Sequence, residues 1–353
     1  MKILIVGAGL SGCCLAHQFL AEGKDVCLID KGVNYSSKIA AGMINPMVFR
    51  RMLKTWKGDT LIPYLNSFYP RLEQKLKQRF FFPLKIRRVF STAEEASLWS
   101  KREQDPSYAN YIYTRKATPS PKNYVIHKYG SAYVKSPGYV DATMFIRANH
   151  SFFIKKNILK YADFDYSKLN LETTTYNNTQ YESIIFAEGF HGKTNPFFDY
   201  LPLKQDKGEV LTAVSSELDK DEILNRKCFV LPTIGGEFKI GATFTWNSAD
   251  VNTTESAKEE LLGHYASLSA AKIEVVHQEA GIRPTVTDRR PLIGKHPTIK
   301  NLFIFNGMGA KGYLIAPFFS KHFCDYYSKK IPLDEEVDIK RFFKRFNNTM
   351  SGS

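Results

Sequence analysis

Residues 2–30 constrain this chain more than any other stretch. Lys2-Ile3-Leu4-Ile5-Val6 is an apolar run ending in Gly7-Ala8-Gly9-Leu10-Ser11-Gly12, and a second run, Val26-Cys27-Leu28-Ile29, closes on Asp30. Residues 10–22 between them read as a helix with Gly23 as its stop. Strand, glycine loop, helix, strand and terminal carboxylate, in this order, make a dinucleotide-binding unit. Gly7 permits the tight turn, Gly9 lets the backbone approach a pyrophosphate, and Gly12 lets the helix pack close to the strand. Ala8, Leu10 and Ser11 complete a loop that presents unpaired N–H groups and the positive end of the helix dipole to phosphate. Asp30 follows at the distance that suits a ribose hydroxyl. Lys31 beside it does not argue for a 2′-phosphate, which Asp30 would repel.

The 353 residues leave room for about two domains. Their 43% hydrophobic and 24% charged content places them among ordinary globular chains. Cys13, Cys14, Cys27, Cys228 and Cys324 are odd in number and lack CxxC spacing, which argues against a disulfide framework or a zinc site. No stretch reaches the roughly twenty apolar residues of a membrane span. No cleavage pattern marks the N-terminus, so a cytoplasmic protein without an integral membrane segment is expected. A net charge of +14 can steer anionic partners, including nucleic acid. The basic residues cluster at 71–88 and 340–345, and a solvated basic face is the reading taken here.

The rest of the chain alternates between two patterns. Leu61, Leu65, Phe68, Leu72 and Leu76 recur at helical spacing, and Pro63 and Pro70 predict two helices or a kinked one. A loop is read at 34–37, and strand-rich character from about 84 to 137 and from 205 to 280, the latter with a helix near 255–268. Strand-helix-strand character returns at 139–189. The fold expected is α/β, a three-layer Rossmann-like nucleotide domain with an inserted antiparallel-sheet substrate domain of α+β type. Residues 1–80, 139–203 and 281–345 are assigned to the first, 81–138 and 204–280 to the second, and 346–353 to a tail.

Gly307-Met308-Gly309-Ala310-Lys311-Gly312 repeats the glycine pattern between an apolar strand and a helix. Too little chain follows for a second nucleotide unit, and no second strand ends in a carboxylate. What remains is a second helix N-terminus able to stabilise negative charge, for example on the N1–C2=O side of a reduced flavin. One nucleotide site and one polarising helix end favour a flavin enzyme over a nicotinamide dehydrogenase. Arg283, in Ala280-Gly281-Ile282-Arg283-Pro284, offers a planar fork for a substrate carboxylate, with an ion pair to Glu279 as the structural alternative. Lys311 could bind the same carboxylate, stabilise reduced flavin, or be a solvated loop lysine. There is no GxSxG, no HExxH and no cysteine beside a plausible base, and His191 and His296 read as surface or loop residues. That shortage suits chemistry in which a cofactor carries the hard step.

Together these motifs resemble the D-amino acid oxidase family of FAD-dependent oxidoreductases, particularly its glycine oxidase and sarcosine oxidase-like members, to about residue 325. The unit through Asp30-Lys31 is similar to the family's ADP-binding segment, and Ala40-Ala41-Gly42-Met43 to its loop past the flavin ring. Ala187-Glu188-Gly189 resembles the strand-end glycine contact, with Glu188 bulkier than the small residue expected. Lys207-Gly208-Glu209 and Gly241-Ala242-Thr243 resemble markers of the substrate domain. Gly281-Ile282-Arg283-Pro284 with Asp288, Pro291 and Ile293-Gly294 is the most specific match of the second half. Gly307 to Gly312 with Leu314-Ile315-Ala316-Pro317 matches the closing flavin loop and helix.

The resemblance implies FAD, held non-covalently because residues 281–312 contain no cysteine. It implies that Arg283 holds a substrate carboxylate and that Lys311 stands where sarcosine oxidase-like members place a carboxylate-binding lysine. Phe229 stands where glycine oxidase-like chains place a tyrosine, which allows a bulkier or less polar substrate than glycine. The function expected is oxidation of the C–N bond of a small amino acid or secondary amine to an imine, by hydride transfer to flavin, with oxygen or a quinone as acceptor. A tRNA-modifying flavoenzyme acting on a carboxymethylaminomethyl-uridine and a non-catalytic flavin-binding protein are the alternatives.

Overall fold

A computed structural model describes residues 1–351 apart from 34 and 136, and gives side-chain surroundings for all of these but 35 and 348–351. The N-terminal run forms the strand Ile3–Val6 at the middle of a six-stranded sheet. It pairs in parallel with Val26–Asp30 on one side and with Ser183–Phe186 on the other. Leu159–Tyr161 extends the first side, again in parallel. Leu302–Asn306 extends the second in parallel, and Leu292–Lys295 closes that edge antiparallel. Every residue of Ile3–Val6, Val26–Asp30 and Ser183–Phe186 is buried, as expected for parallel strands covered on both faces.

Helices Leu10–Ala21, Gly58–Leu76, Ala142–Lys155 and Gly312–Lys329 share one apolar core on one face of the sheet. A second core, including Phe186, Phe198, Tyr200 and Ile304, fills the other. The small sheet of 169–170, 175–176 and 179–180 supplies Tyr176 to it.

The second large sheet has seven strands, in the order Glu274–Val286, Leu203–Val214, Phe238–Gly241, Phe229–Pro232, Glu222–Asn225, Lys85–Val89 and Ser131–Val134. It is antiparallel except that Glu222–Asn225 runs parallel to Lys85–Val89. Glu274–Val286 pairs with Leu203–Val214 along both lengths, so one continuous strand crosses residue 281, where a boundary was expected. Its last residues carry Gly281 and Arg283 to the cavity described below.

Several expectations are corrected. Of the two alternatives for 58–76, the two-helix one is not seen: Gly58–Leu76 is one helix with both prolines inside, because Leu61, Leu65, Phe68, Tyr69 and Leu72 bury a continuous stripe. Residues 35–39 are helical rather than loop, while Asn34 lies outside the described residues. Among its described residues, the segment 84–137 contains two strands of the large sheet, the helix Ala93–Glu103 and the short 3-10 helix Pro106–Tyr108. A capping signal, Thr92 followed by Glu95, marks that helix: Glu95 N donates to Thr92 Oγ1 at 3.2 Å. The basic stretch 71–88 is not uniformly a solvated face. Arg87 and Arg88 are 2% and 5% exposed, because both sides of their strand are covered. Arg87 pairs with Glu222 at 2.8 Å and Arg88 with Glu95. Of the expected tail 346–353, residues 346–351 belong to the helix Phe343–Ser351, and 352–353 lie outside the described residues. All five cysteines are buried free thiols. Among the described residues, no helix is long and apolar enough to cross a membrane.

Candidate functional site

One cavity of about 420 Å³ runs between the carboxyl ends of the parallel strands and the end of the strand that carries Arg283. Of the predicted residues, Gly7, Gly9, Leu10, Ser11, Asp30, Lys31, Ala41, Gly42, Met43, Gly189, Met308, Gly309, Gly312, Arg283 and Lys311 line it. Ala8, Gly12 and Gly307 do not; they shape it from behind. Gly12 has no room for a side chain, since a Cβ there would sit 1.9 Å from the Gly7 carbonyl oxygen. A Cβ on Gly7, at φ +99°, would sit 2.4 Å from the Ala187 oxygen. Ala8 donates its N–H to Asp30 Oδ2 at 2.6 Å, and its carbonyl lies 2.8 Å from His150 Nε2. Gly307, at φ +75°, turns the chain at the end of Leu302–Asn306.

The two helix N-termini foreseen from the glycine loops converge. Gly312 begins one helix, and a Cβ on it would lie 3.0 Å from Leu10, the first residue of the other. Neither helix has an acidic residue in its first turn or a side-chain cap on its N-cap residue, so both ends leave backbone donors for an external anion. Leu10 N–H is taken by Ser37 Oγ at 3.0 Å. Asp30 also accepts Gly32 N–H on Oδ1 at 2.7 Å, which fixes the carboxylate at the cavity wall.

Four neighbours, Ser36, Tyr313, Glu188 and His191, take places at the site that the sequence reading did not assign to them. Ser36 hydroxyl donates to the Ile282 carbonyl, and Tyr313 hydroxyl donates to Ser37 O at 2.6 Å. The short helix Tyr35–Ile39 thereby ties the nucleotide loop, the arginine strand and the closing loop together. Glu188 is held by Tyr166 hydroxyl at 2.5 Å and Asn195 Nδ2 at 2.7 Å, and burial raises its carboxyl above the usual range. His191, expected as a surface or loop residue, lies in the turn Gly189–Thr194 and lines the cavity, with a buried Nε2 that lacks a partner among the described residues. Burial holds its ring below the usual histidine range. His296 is also buried, with Nε2 3.0 Å from Phe197 O, and takes no part in the cavity.

Arg283 donates through Nη1 to Lys207 O at 3.0 Å and through Nη2 to Thr243 O at 3.1 Å. These are neutral acceptors. The arginine makes no ion pair among the described residues, and the Glu279 alternative is not seen. Asp206 faces it across the strand pair, but its oxygens serve Asn247 N–H at 2.9 Å and Thr285 hydroxyl. The Lys207-Gly208-Glu209 motif has a visible purpose here. Lys207 supplies the carbonyl, Gly208 leaves space for the guanidinium, and Glu209 is anchored by Thr254 and Gln278.

Lys311 points elsewhere. Its Nζ donates to Asn45 O and Met47 O, both at 3.2 Å, and to Thr55 Oγ1. Its three donors therefore pin the 45–55 loop, away from Arg283's partners. Burial lowers its ammonium to about 8. The unfolded chain holds that proton to about pH 10.4, so between about pH 8 and 10 the folded chain binds fewer protons and Lys311's contribution to stability rises with pH. Thermal unfolding of the apoprotein should show wild type gaining in Tm over Lys311→Met across that window. Parallel Tm curves would show an ammonium as well hydrated as in the open chain.

These surroundings fit FAD. Two uncapped helix ends and a glycine loop that excludes side chains suit its pyrophosphate, Asp30 its ribose, and His191 Nε2 offers a further polar contact. The model of the FAD-dependent oxidoreductase family, DAO, matches residues 2–326. The chain belongs to that family. Glycine oxidase of Pseudomonas aeruginosa is 22% identical over 94% of this chain and 96% of its own length. A tRNA 5-methylaminomethyl-2-thiouridine biosynthesis bifunctional protein of Campylobacter jejuni is 21% identical over 83% of this chain and 46% of its own length. In structure, glycine oxidase of Geobacillus kaustophilus superposes with a TM-score of 0.80 at 19% identity, covering 97% of this chain and 98% of that one. The chain is thus an FAD-dependent oxidoreductase with the fold of that oxidase.

Proposed function

We propose that this enzyme oxidises the C–N bond of a small carboxylate-bearing amine, an amino acid or secondary amine, to an imine that then hydrolyses in water. The observation that carries the reading is Arg283, a partly buried guanidinium at the wall of the cofactor cavity that hydrogen-bonds to carbonyl oxygens and lies under the Phe244 ring. Asp206 across the strand pair favours its charge from a distance, but its oxygens are committed to Asn247 and Thr285, so a substrate carboxylate would supply the direct charge-assisted partner that the guanidinium lacks among the described residues. FAD, when bound, supplies the acceptor for the hydride. The chain's own residues bind and orient. Arg283 fixes the carboxylate, while Phe229, Val210 and Met43 give the neighbouring wall an apolar surface that keeps water from the amine. The amine is taken up neutral, so no protein base is required. Lys311 acts as the post that positions the 45–55 loop, and its charge sits behind the helix end at Gly312. The cofactor would be held by residues 1–80, 139–203 and 281–345 and the substrate chiefly by 81–138 and 204–280, with Glu274–Val286 passing between them.

The test is anaerobic titration of the FAD-loaded protein with glycine, sarcosine, D-proline and other D-amino acids. Bleaching of the flavin band near roughly 450 nm is expected, because accepting hydride is the cofactor's own chemistry. Readmitting air then separates an oxygen-reactive oxidase from a dehydrogenase that needs a quinone. No bleaching with any amine would leave a flavin-binding protein without this activity. The net charge of +14 and the tRNA-modifying relative favour a second reading, the same C–N chemistry on a glycine-like group tethered to tRNA. It predicts tRNA affinity that falls steeply with salt as phosphate contacts release counterions.

A further inference from the structure

Beside Arg283 the surface carries two large aromatic side chains that the fold itself does not use. Phe244 is 41% exposed and Trp246 is 59% exposed, with ring centroids 4.4 Å apart. They are fixed in place. Thr245 between them exchanges two backbone hydrogen bonds of 2.9 Å with Lys207, and Asn247 N–H donates to Asp206. The short distance between the ring centroids puts both rings on the same side of Thr245. Phe244 lies over the Arg283 guanidinium, whose Cζ is 4.8 Å from the ring centroid. The pair is therefore continuous with the carboxylate-binding group.

We propose that Phe244 and Trp246 form the subsite for an apolar, ring-sized substituent on the α-carbon or nitrogen of the substrate, making this enzyme selective for bulky amino acids over glycine. The inference rests on Arg283 holding the substrate carboxylate. Two further features agree with it. The arginine under Phe244 draws in a ligand whose charged end is a carboxylate, so the rings above it meet that ligand's apolar end. Phe229, on the cavity wall, adds apolar surface where a tyrosine hydroxyl would favour a smaller, more polar substrate. The patch has two side chains, the scale of one substituent rather than of a protein interface.

The experiment compares phenylacetate with acetate as probes of the holoenzyme, by perturbation of the flavin spectrum, in wild type, Trp246→Ala and Trp246→Phe. It then compares kcat/KM for N-benzylglycine and D- and L-phenylalanine with that for glycine and sarcosine. Wild type should bind phenylacetate about tenfold or more tighter than acetate, the scale of burying one ring face. Trp246→Ala should shrink that ratio to below about threefold, largely by weakening phenylacetate alone, and Trp246→Phe should restore most of it. The kcat/KM values should rank the substrates in the same way. Equal binding of the two probes, or equal loss of both in Trp246→Ala, would overturn the proposal. So would an intact ratio with altered sedimentation, which would make the pair a contact between copies. Failure of the underlying reading looks different: neither carboxylate perturbs the flavin and no amine reduces it, and the proposal falls with it.

Discussion

Gly208→Ala is expected to cost about 10²- to 10⁴-fold in kcat/KM for the amine while leaving FAD content and Tm close to wild type. A Cβ at residue 208 would lie 2.0 Å from Arg283 Nη2, 2.3 Å from Cζ and 2.4 Å from Nη1. The obstacle is the end of a flexible side chain, so the backbone pairing of Gly208 with Gly281 can persist while the guanidinium swings away. Each charge-assisted hydrogen bond to a carboxylate contributes about 1.5–3 kcal/mol, and losing two accounts for the range given. Arg283→Met should reach the same level, and the double variant should be no worse than either single one, because both remove the same interaction. Rapid-mixing measurement of flavin reduction reads this as a raised substrate Kd. Wild-type efficiency in Gly208→Ala would remove Arg283 from the carboxylate site.

That coupling shows what could be read from the chain and what could not. Strand, glycine loop, helix and Asp30 were legible because each step is local: a turn, a cap and an apolar period set within thirty residues. Arg283 was visible as a residue type in a telling segment. That its fork rests on the Lys207 and Thr243 carbonyls, 76 and 40 residues away in sequence, is a product of long-range chain pairing, and no local pattern encodes it. Lys311 shows the limit from the other side. Its place in the second glycine loop put it at the cavity, yet the direction of its Nζ depends on the 45–55 loop folding beneath it. Arg87 and Arg88 were misread for a related reason. A basic run looks solvated until the partners Glu222 and Glu95, one local and one distant, are brought alongside. His191 gave no signal in the sequence, since its role at the wall follows from the turn after Ser183–Phe186 and from nothing in its neighbours' identities.

Gly12→Val should all but abolish FAD retention, weakening affinity by at least about 10²- to 10⁴-fold. Unlike Gly208, this glycine faces backbone: its Cβ would be 1.9 Å from Gly7 O and 2.9 Å from Gly7 C. No side-chain rotation relieves that contact, so the helix Leu10–Ala21 must shift off the strand. The shift moves the N–H groups at its start away from the pyrophosphate, and two such charge-assisted bonds are worth about 3–6 kcal/mol. Overpacking of the Gly7–Gly12 contact adds about 1–3 kcal/mol of destabilisation to the apoprotein. Gly23→Ala is the matched control. Gly23 has positive φ, +73°, and a Cβ there meets nothing within 4 Å. It should cost about 1 kcal/mol of stability through backbone strain and leave FAD affinity unchanged. Flavin fluorescence quenching on titrating FAD into each apoprotein measures both. If Gly12→Val bound FAD as tightly as Gly23→Ala, the pyrophosphate would have to lie elsewhere than at the N-terminus of this helix.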